Sequence, residues 1–221
     1  MIMPAFRTLR TTLLASAIGL VSLQGFARGG DSAAAATSLA KLQQRWAEIN
    51  YTLPPGEQAT AFSYLGDEAD QLVERYPDAA ELHIWAGIIR STEAGASGGL
   101  GALGLVKQAK KELETALELN PLALDGSAYT SLGALYYQVP GWPLGFGDEQ
   151  KAEWHLQRAL AINPEGIDSL YFWGDYLHEQ GRDAEARQAL ERALMAAPWP
   201  GRELADSGRS DDIRQLMSEL Q

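Results

Sequence analysis

Apolar residues recur at spacings of three and four along most of this chain, with polar residues between them. That period puts one buried face on each of a series of α-helices. "TSLAKLQQRWAEIN" aligns Leu39, Leu42, Trp46 and Ile49 in this way. Three later segments, "QAKKELETALELNP", "KAEWHLQRALAINP" and "EARQALERALMAAP", end alike. In each, an alanine is followed by leucine, alanine and proline at fixed offsets. The sets are Ala109, Leu113, Ala116 and Pro121; Ala152, Leu156, Ala159 and Pro164; and Ala186, Leu190, Ala193 and Pro198. Proline cannot continue a helix, so each one closes a unit and begins the next.

A second helical pattern lies upstream of each. Tyr129, Leu132, Gly133 and Tyr136 reproduce the large-x2-Leu-Gly-x2-Tyr half of a tetratricopeptide repeat, and Leu170, Trp173, Gly174 and Leu177 fit it with hydrophobic substitutions. His83, Ala86, Gly87 and Arg90 match only at the glycine and the small residue. The chain thus resembles the tetratricopeptide (TPR) family over roughly residues 80–200, with an eroded repeat before it ending at Pro77. The expected fold is all-α: a right-handed superhelix of about three and a half TPR-like helical hairpins over 46–77, 80–121, 126–164 and 167–198. A C-terminal cap, 199–221, is expected to carry a helix over "SDDIRQLMSEL", N-capped by Ser210, with Ile213, Leu216, Met217 and Leu220 inward. Glycine at the helix crossing lets two backbones approach, and leucine fills the groove between them.

The repeats differ in length. Proline follows the first-helix glycine by 24 residues in the last repeat, by 31 from Gly133 to Pro164, and by 34 from Gly87 to Pro121. Both surpluses fall between the two helices of their repeat, in "STEAGASGGLGALGLV" (91–106) and "YYQVPGWPLGFGD". Equivalent turns of stacked hairpins lie along one edge, so the two enlarged loops are expected as neighbours walling a pocket. Its candidate lining is Trp85, Leu103, Tyr136, Tyr137, Trp142 and Phe146. The other reading of the second loop is packing alone, with Trp142 and Phe146 plugging a gap and Asp148 serving as the next helix's N-cap. Tyr171, Asp175 and Glu179, with Asp168 and His178, sit at first-helix positions that face the groove of a TPR array. Such an acidic groove suits a cationic or aromatic group, or is simply a solvated face.

Composition adds the setting. Arg7 and Arg10 precede the apolar stretch "TTLLASAIGLVSLQGF" and small residues at Gly25 and Ala27, the layout of a cleavable export signal. Cleavage is expected after Ala27, leaving residues 28–36 as a disordered linker and a mature form that does not span a membrane. The formal charge of −11 becomes −13 without residues 1–27, which disfavours nucleic acid as a partner. There is no cysteine, so neither a disulfide framework nor thiol chemistry is available.

Other chemistry finds little support. Gly99, Gly101 and Gly104 have dinucleotide-binding spacing but follow a helix rather than a strand. His83, His155 and His178 lie on three different helices without metal-ligand spacing. No serine has an evident histidine and orienting acid. Catalytic residues, cofactors and metals are therefore not expected. Arg202 and Arg209, around Asp206, read as salt-linked packing of the cap or as a weaker anion site.

Repeats, export signal and the proline-containing turn before "KAEWHLQRAL" together resemble the periplasmic T-component proteins of tripartite ATP-independent periplasmic (TRAP) transporters, over about residues 78–198. That resemblance implies a non-enzymatic periplasmic adaptor. It would bind a protein partner, namely a periplasmic solute-binding protein, and a small hydrophobic ligand, in the setting of a homo-oligomer such as a trimer. The alternative is a structural scaffold or assembly factor of the cell envelope that has no small ligand.

Overall fold

The computed structural model describes residues 21–99 and 101–220. Among them run α1 (Val21–Thr52), α2 (Pro55–Arg75), α3 (Ala80–Ser97), α4 (Ala102–Leu119), α5 (Ser127–Gln138), α6 (Glu149–Ile162), α7 (Ile167–Glu179), α8 (Asp183–Leu194) and α9 (Glu203–Glu219). A short 3₁₀ turn, Ala123–Gly126, leads into α5. The chain divides into two compact units, one up to Ala34 and one from Ala35 onward. No helix among the described residues is long and apolar enough to cross a membrane. The expected export signal lies outside the described residues as far as residue 20.

The second unit is an all-α helical repeat. Hairpins α3/α4, α5/α6 and α7/α8 carry the pattern read from the sequence. All nine alanines and leucines of the three recurring sets are wholly buried. Each leucine meets the glycine of the preceding helix. A Cβ built on Gly87 would lie 2.6 Å from Leu113 Cγ, one on Gly133 2.6 Å from Leu156 Cγ, and one on Gly174 2.8 Å from Leu190 Cγ. Real carbon atoms do not approach so closely, so glycine sets the helix spacing at each crossing. Asn120 and Asn163 end α4 and α6 with non-helical backbone, and proline follows each.

The first of these hairpins is held differently from the others. Where the later repeats have Tyr136 and Leu177, it has Arg90, buried and donating to Asp67 (2.8 Å), Asp70 (2.5 Å) and Glu93 (2.7 Å). Gly66 makes room for it, since a Cβ there would lie 2.3 Å from the guanidinium. A buried charge is tolerable only when carboxylates pair with it in this way. This network ties α2 to α3, and Gln108 on α4 also donates to Asp70.

Four expectations need correction. Residues 28–36 are helical within α1 rather than a disordered linker; the run Ala33–Ala36 has the highest helix propensity of any residue type. The surplus at 91–106 is not a large loop. α3 runs on to Ser97 and α4 starts at Ala102, so the extra residues lengthen both helices and leave a turn at Gly98 and Gly99, both at positive φ. The cap helix begins at Glu203 instead of after Ser210, whose hydroxyl donates to the Asp206 carbonyl inside the helix. Its first two turns are held helical by tertiary contacts: Gly208 abuts the Tyr51 ring, and Arg209 is buried in ion pairs.

The fourth concerns 137–148, whose surplus is a loop only after Gln138. Gly147 N–H donates to the Pro140 carbonyl (3.1 Å), and Asp148 N–H to the Tyr136 carbonyl (2.8 Å). Asp148 then caps α6 through Lys151 N–H (3.1 Å). A Cβ on Gly147 would lie 1.9 Å from the Val139 carbonyl oxygen, so only glycine fits this turn.

The helix crossings give a direct test. Gly133→Val should cost about 1–3 kcal/mol through the clash with Leu156. Gly95→Ala, inside α3 with nothing within 4 Å of its Cβ, should gain up to about 1 kcal/mol from reduced chain entropy. Urea denaturation midpoints of the two variants would check both signs.

Candidate functional site

The first helices of the hairpins face a common concave space of about 1320 Å³. Its apolar wall comes from the α1/α3 side and from the turns after α3 and α5. Trp46 and Trp85 meet edge-on at 5.7 Å, and Trp46 Nε1 donates to Thr92 Oγ1 (3.0 Å), which fixes the pair. Leu103 and Val106 on α4 extend this wall, and Val139, Pro140 and Leu144 of the second turn continue it. The two surplus segments do line one cavity.

Polar groups enter from the amino ends of α5 and α7 and from the cap. Ser127, Ser131 and Asn163 contribute hydroxyls and an amide, and Asp125 a carboxylate. Leu124 and Asp125 both hold left-handed backbone, φ 47° and 53°, in the turn that enters α5. Thr130 and Ser169 meet across the α5/α7 interface at 3.4 Å.

The cap adds a further wall to the space. Trp199, Pro200, Arg202, Ala205 and Arg209 all contribute lining. Arg209 is central to that wall. Its Nε donates to Asp168 Oδ1 (2.9 Å) on α7 and its Nη1 to Asp212 Oδ2 (3.0 Å) on its own helix. The guanidinium lies over the ring of Tyr171 at 4.3 Å and that of Phe172 at 5.1 Å. Arg202 donates to the second oxygen of Asp168 (3.0 Å). Burial alone would raise the Asp168 carboxyl, but the Arg209 and Arg202 charges outweigh it and hold it below the ordinary value. Tyr51, at the end of α1, donates to Asp212 (3.2 Å). The first and last helices of the unit therefore meet, 161 residues apart in sequence.

The candidate residues read from the sequence divide into groups. Trp85 and Leu103 line the cavity. Tyr136 and Phe146 pack against each other at 5.7 Å away from it, and Tyr136 stacks on His155 at 5.3 Å. Lys110 and Lys151 cover that cluster. Trp142 is 90% exposed at the tip of the turn. Asp148 is a helix cap. Tyr137 donates to Asp175 and packs on Tyr176, linking α5 to α7. Tyr171 lies beneath Arg209, and Glu179 is exposed at the end of α7. Sequence reasoning missed Trp46, Thr92 and Phe172 as lining. The spacing of Asp168 and Phe172, four apart on a first helix, was the available signal for that wall.

No protein-family model matches the chain, and no curated protein matches it. Among solved structures it is similar to TTC0263, a thermophilic TPR protein of Thermus thermophilus. The identity is 22% over 88% of this chain and 96% of that one, with a TM-score of 0.53. The fold is that of a tetratricopeptide-repeat protein.

The aromatic cluster outside the cavity carries a pH signature. Burial pushes the His155 imidazole down to about 4, so the folded protein holds it neutral. Once unfolded, it takes up a proton near its ordinary value of 6.5. Stability is therefore lost as pH falls from about 6.5 to about 4. In His155→Phe, the drop in melting temperature between about pH 7 and about pH 4.5 should be smaller than in wild type. The Glu112-paired His83 and Asp183-paired His178, both raised, are common to both proteins and cancel in the comparison.

Proposed function

We propose that this chain is an exported, non-enzymatic TPR adaptor whose concave cavity holds a small, largely apolar ligand while its outer surface engages a partner protein. The observation that carries this reading is the wall that the cap and α9 add to the groove. An open TPR groove suits an extended peptide running through it. Here the cap supplies walls to the space and is bonded to α1 through Tyr51 and Asp212. A cavity with tryptophan and aliphatic walls and a few polar groups is the usual form of a small-molecule site. Export rests on the layout of residues 1–27. The T-component resemblance supplies the nature of the partner, a periplasmic solute-binding protein of TRAP-type uptake. Trp142, 90% exposed on a turn built from two prolines and three glycines, is the side chain on the outer surface best placed for that contact.

The cavity is tested with N-phenyl-1-naphthylamine, whose fluorescence rises on transfer to an apolar site. Protein purified after export should bind it saturably. Ser131→Trp, which projects an indole from α5 into the space, should weaken binding by about tenfold or more with helicity unchanged. Trp142→Ala should leave probe binding as it is. Absence of saturable binding, or indifference to Ser131→Trp, would favour a scaffold without a small ligand.

A further inference from the structure

The charges around the cavity are arranged against one class of ligand. Among the described residues, Arg202 and Arg209 are the cations that line it; no lysine or histidine does. Each is already committed. Arg202 meets Asp168 at 3.0 Å and Asp206 at 3.6 Å, and Arg209 meets Asp168 at 2.9 Å and Asp212 at 3.0 Å. Three carboxylates thus surround two guanidiniums; of these Asp168 lines the space, and Asp125 adds a second carboxylate to the lining. Asp168 keeps about a third of its exposure, so a ligand at this end of the space meets its negative charge. An anionic head would have to displace a carboxylate from a largely buried guanidinium, or sit beside unbalanced negative charge. Neither is favourable in a partly desolvated site.

An uncharged head meets no such obstacle. Ser131, Asn50 and Asn163 carry donors and acceptors suited to hydroxyl or amide groups. The remaining walls, Trp46, Trp85, Ile88, Val106 and Leu144 among them, suit an aliphatic or aromatic body. The volume, about 1320 Å³, exceeds the common range of roughly 300–1,000 Å³ for small-ligand sites and leaves room for an elongated molecule.

We propose that the cavity takes an elongated amphiphile with an uncharged head, and that Asp168, by neutralising Arg202 and Arg209, is the residue that turns anionic heads away. This rests on the reading of the cavity as a ligand site. It also accounts for a doubly bonded carboxylate inside a binding space, where two unpaired arginines would otherwise form a site for carboxylates or phosphates.

The test compares glycerol monododecanoate with dodecanoate, two amphiphiles with one tail, by titration calorimetry below their aggregation concentrations. Wild-type protein should prefer the uncharged ester by about tenfold or more. Asp168→Asn should shift the ratio of dodecanoate to ester affinity toward dodecanoate by about tenfold. Ser131→Lys adds an unneutralised cation on the α5 side of the cavity without touching the clamp; if Asp168→Asn fails to fold, it still tests whether the lack of free positive charge limits dodecanoate, and it should also strengthen dodecanoate. Equal affinities in wild type, or a preference for dodecanoate, would overturn the proposal. So would folded variants that leave dodecanoate binding unchanged. If naphthylamine and both amphiphiles all fail to bind, the cavity reading itself is wrong; if the dye binds and the ester does not, only the present assignment falls.

Discussion

A guanidinium held between two carboxylates and two aromatic rings governs how this chain ends, and through that the kind of site it encloses. Arg209 draws Asp168 of α7 and Asp212 of α9 to 2.9 and 3.0 Å, with Tyr171 and Phe172 beneath its plane. Such a charge is costly to bury, and only the complete set of partners makes the arrangement stable. Because Tyr51 bonds the same Asp212, α9 is tied both to the last repeat and to the first helix of the unit. A stack of hairpins that would otherwise present an open groove acquires a further wall. The cap's apolar side chains, Ile213 and Leu216, share one core cluster with Leu170, Leu177 and Leu190.

Beneath the cap, the repeats obey one packing rule three times over. Glycine on the first helix admits leucine from the second, and flanking alanines keep the backbones close. The rule is modified where the first of these hairpins uses Arg90 in place of an aromatic or aliphatic residue and surrounds it with three carboxylates. Arg90 and Arg209, one near each end of the repeat array, are thus both held by ion pairs with several carboxylates. Both are approached by a glycine-mediated contact: Gly66 at Arg90 itself, and Gly208 at Tyr51 beside the Arg209 network.

The repeat fold was legible because it rests on local periodicity, and periodicity is written residue by residue. The alanine, leucine and proline offsets led to the right helices, and the glycines to their crossings. Loops were less legible. The surplus at 91–106 contains Gly95, Gly98, Gly99, Gly101 and Gly104, which suggested an irregular turn; packing along both helices overrode the modest cost of isolated glycines. Residues 203–209, expected as a salt-linked part of the cap ahead of its helix, hid their helical state for the converse reason. Their helical state depends on Tyr51 and Asp168, distant in sequence, so no local pattern announces it. At the cavity, Trp85 and Leu103 were found from the surplus-turn argument, whereas Tyr136 and Phe146 turned out to face away. The side of α5 on which an aromatic lies depends on its partner, here His155, and not on its proximity to the enlarged turn.

The proposed function rests on the wall added by the cap more than on any single side chain. A half-enclosed space with a tryptophan pair at one wall and neutralised arginines at another differs from a peptide groove in both shape and charge. The contact between α1 and α9 is the point on which this depends. A double-mutant cycle of Tyr51→Phe and Asp212→Asn, read by chemical denaturation, tests it most directly. Residues in one hydrogen-bond network couple by about 0.5–3 kcal/mol, and such a coupling is the predicted result. Additivity within about 0.3 kcal/mol would mean that the first and last helices do not meet in solution, and the enclosed site would be contradicted.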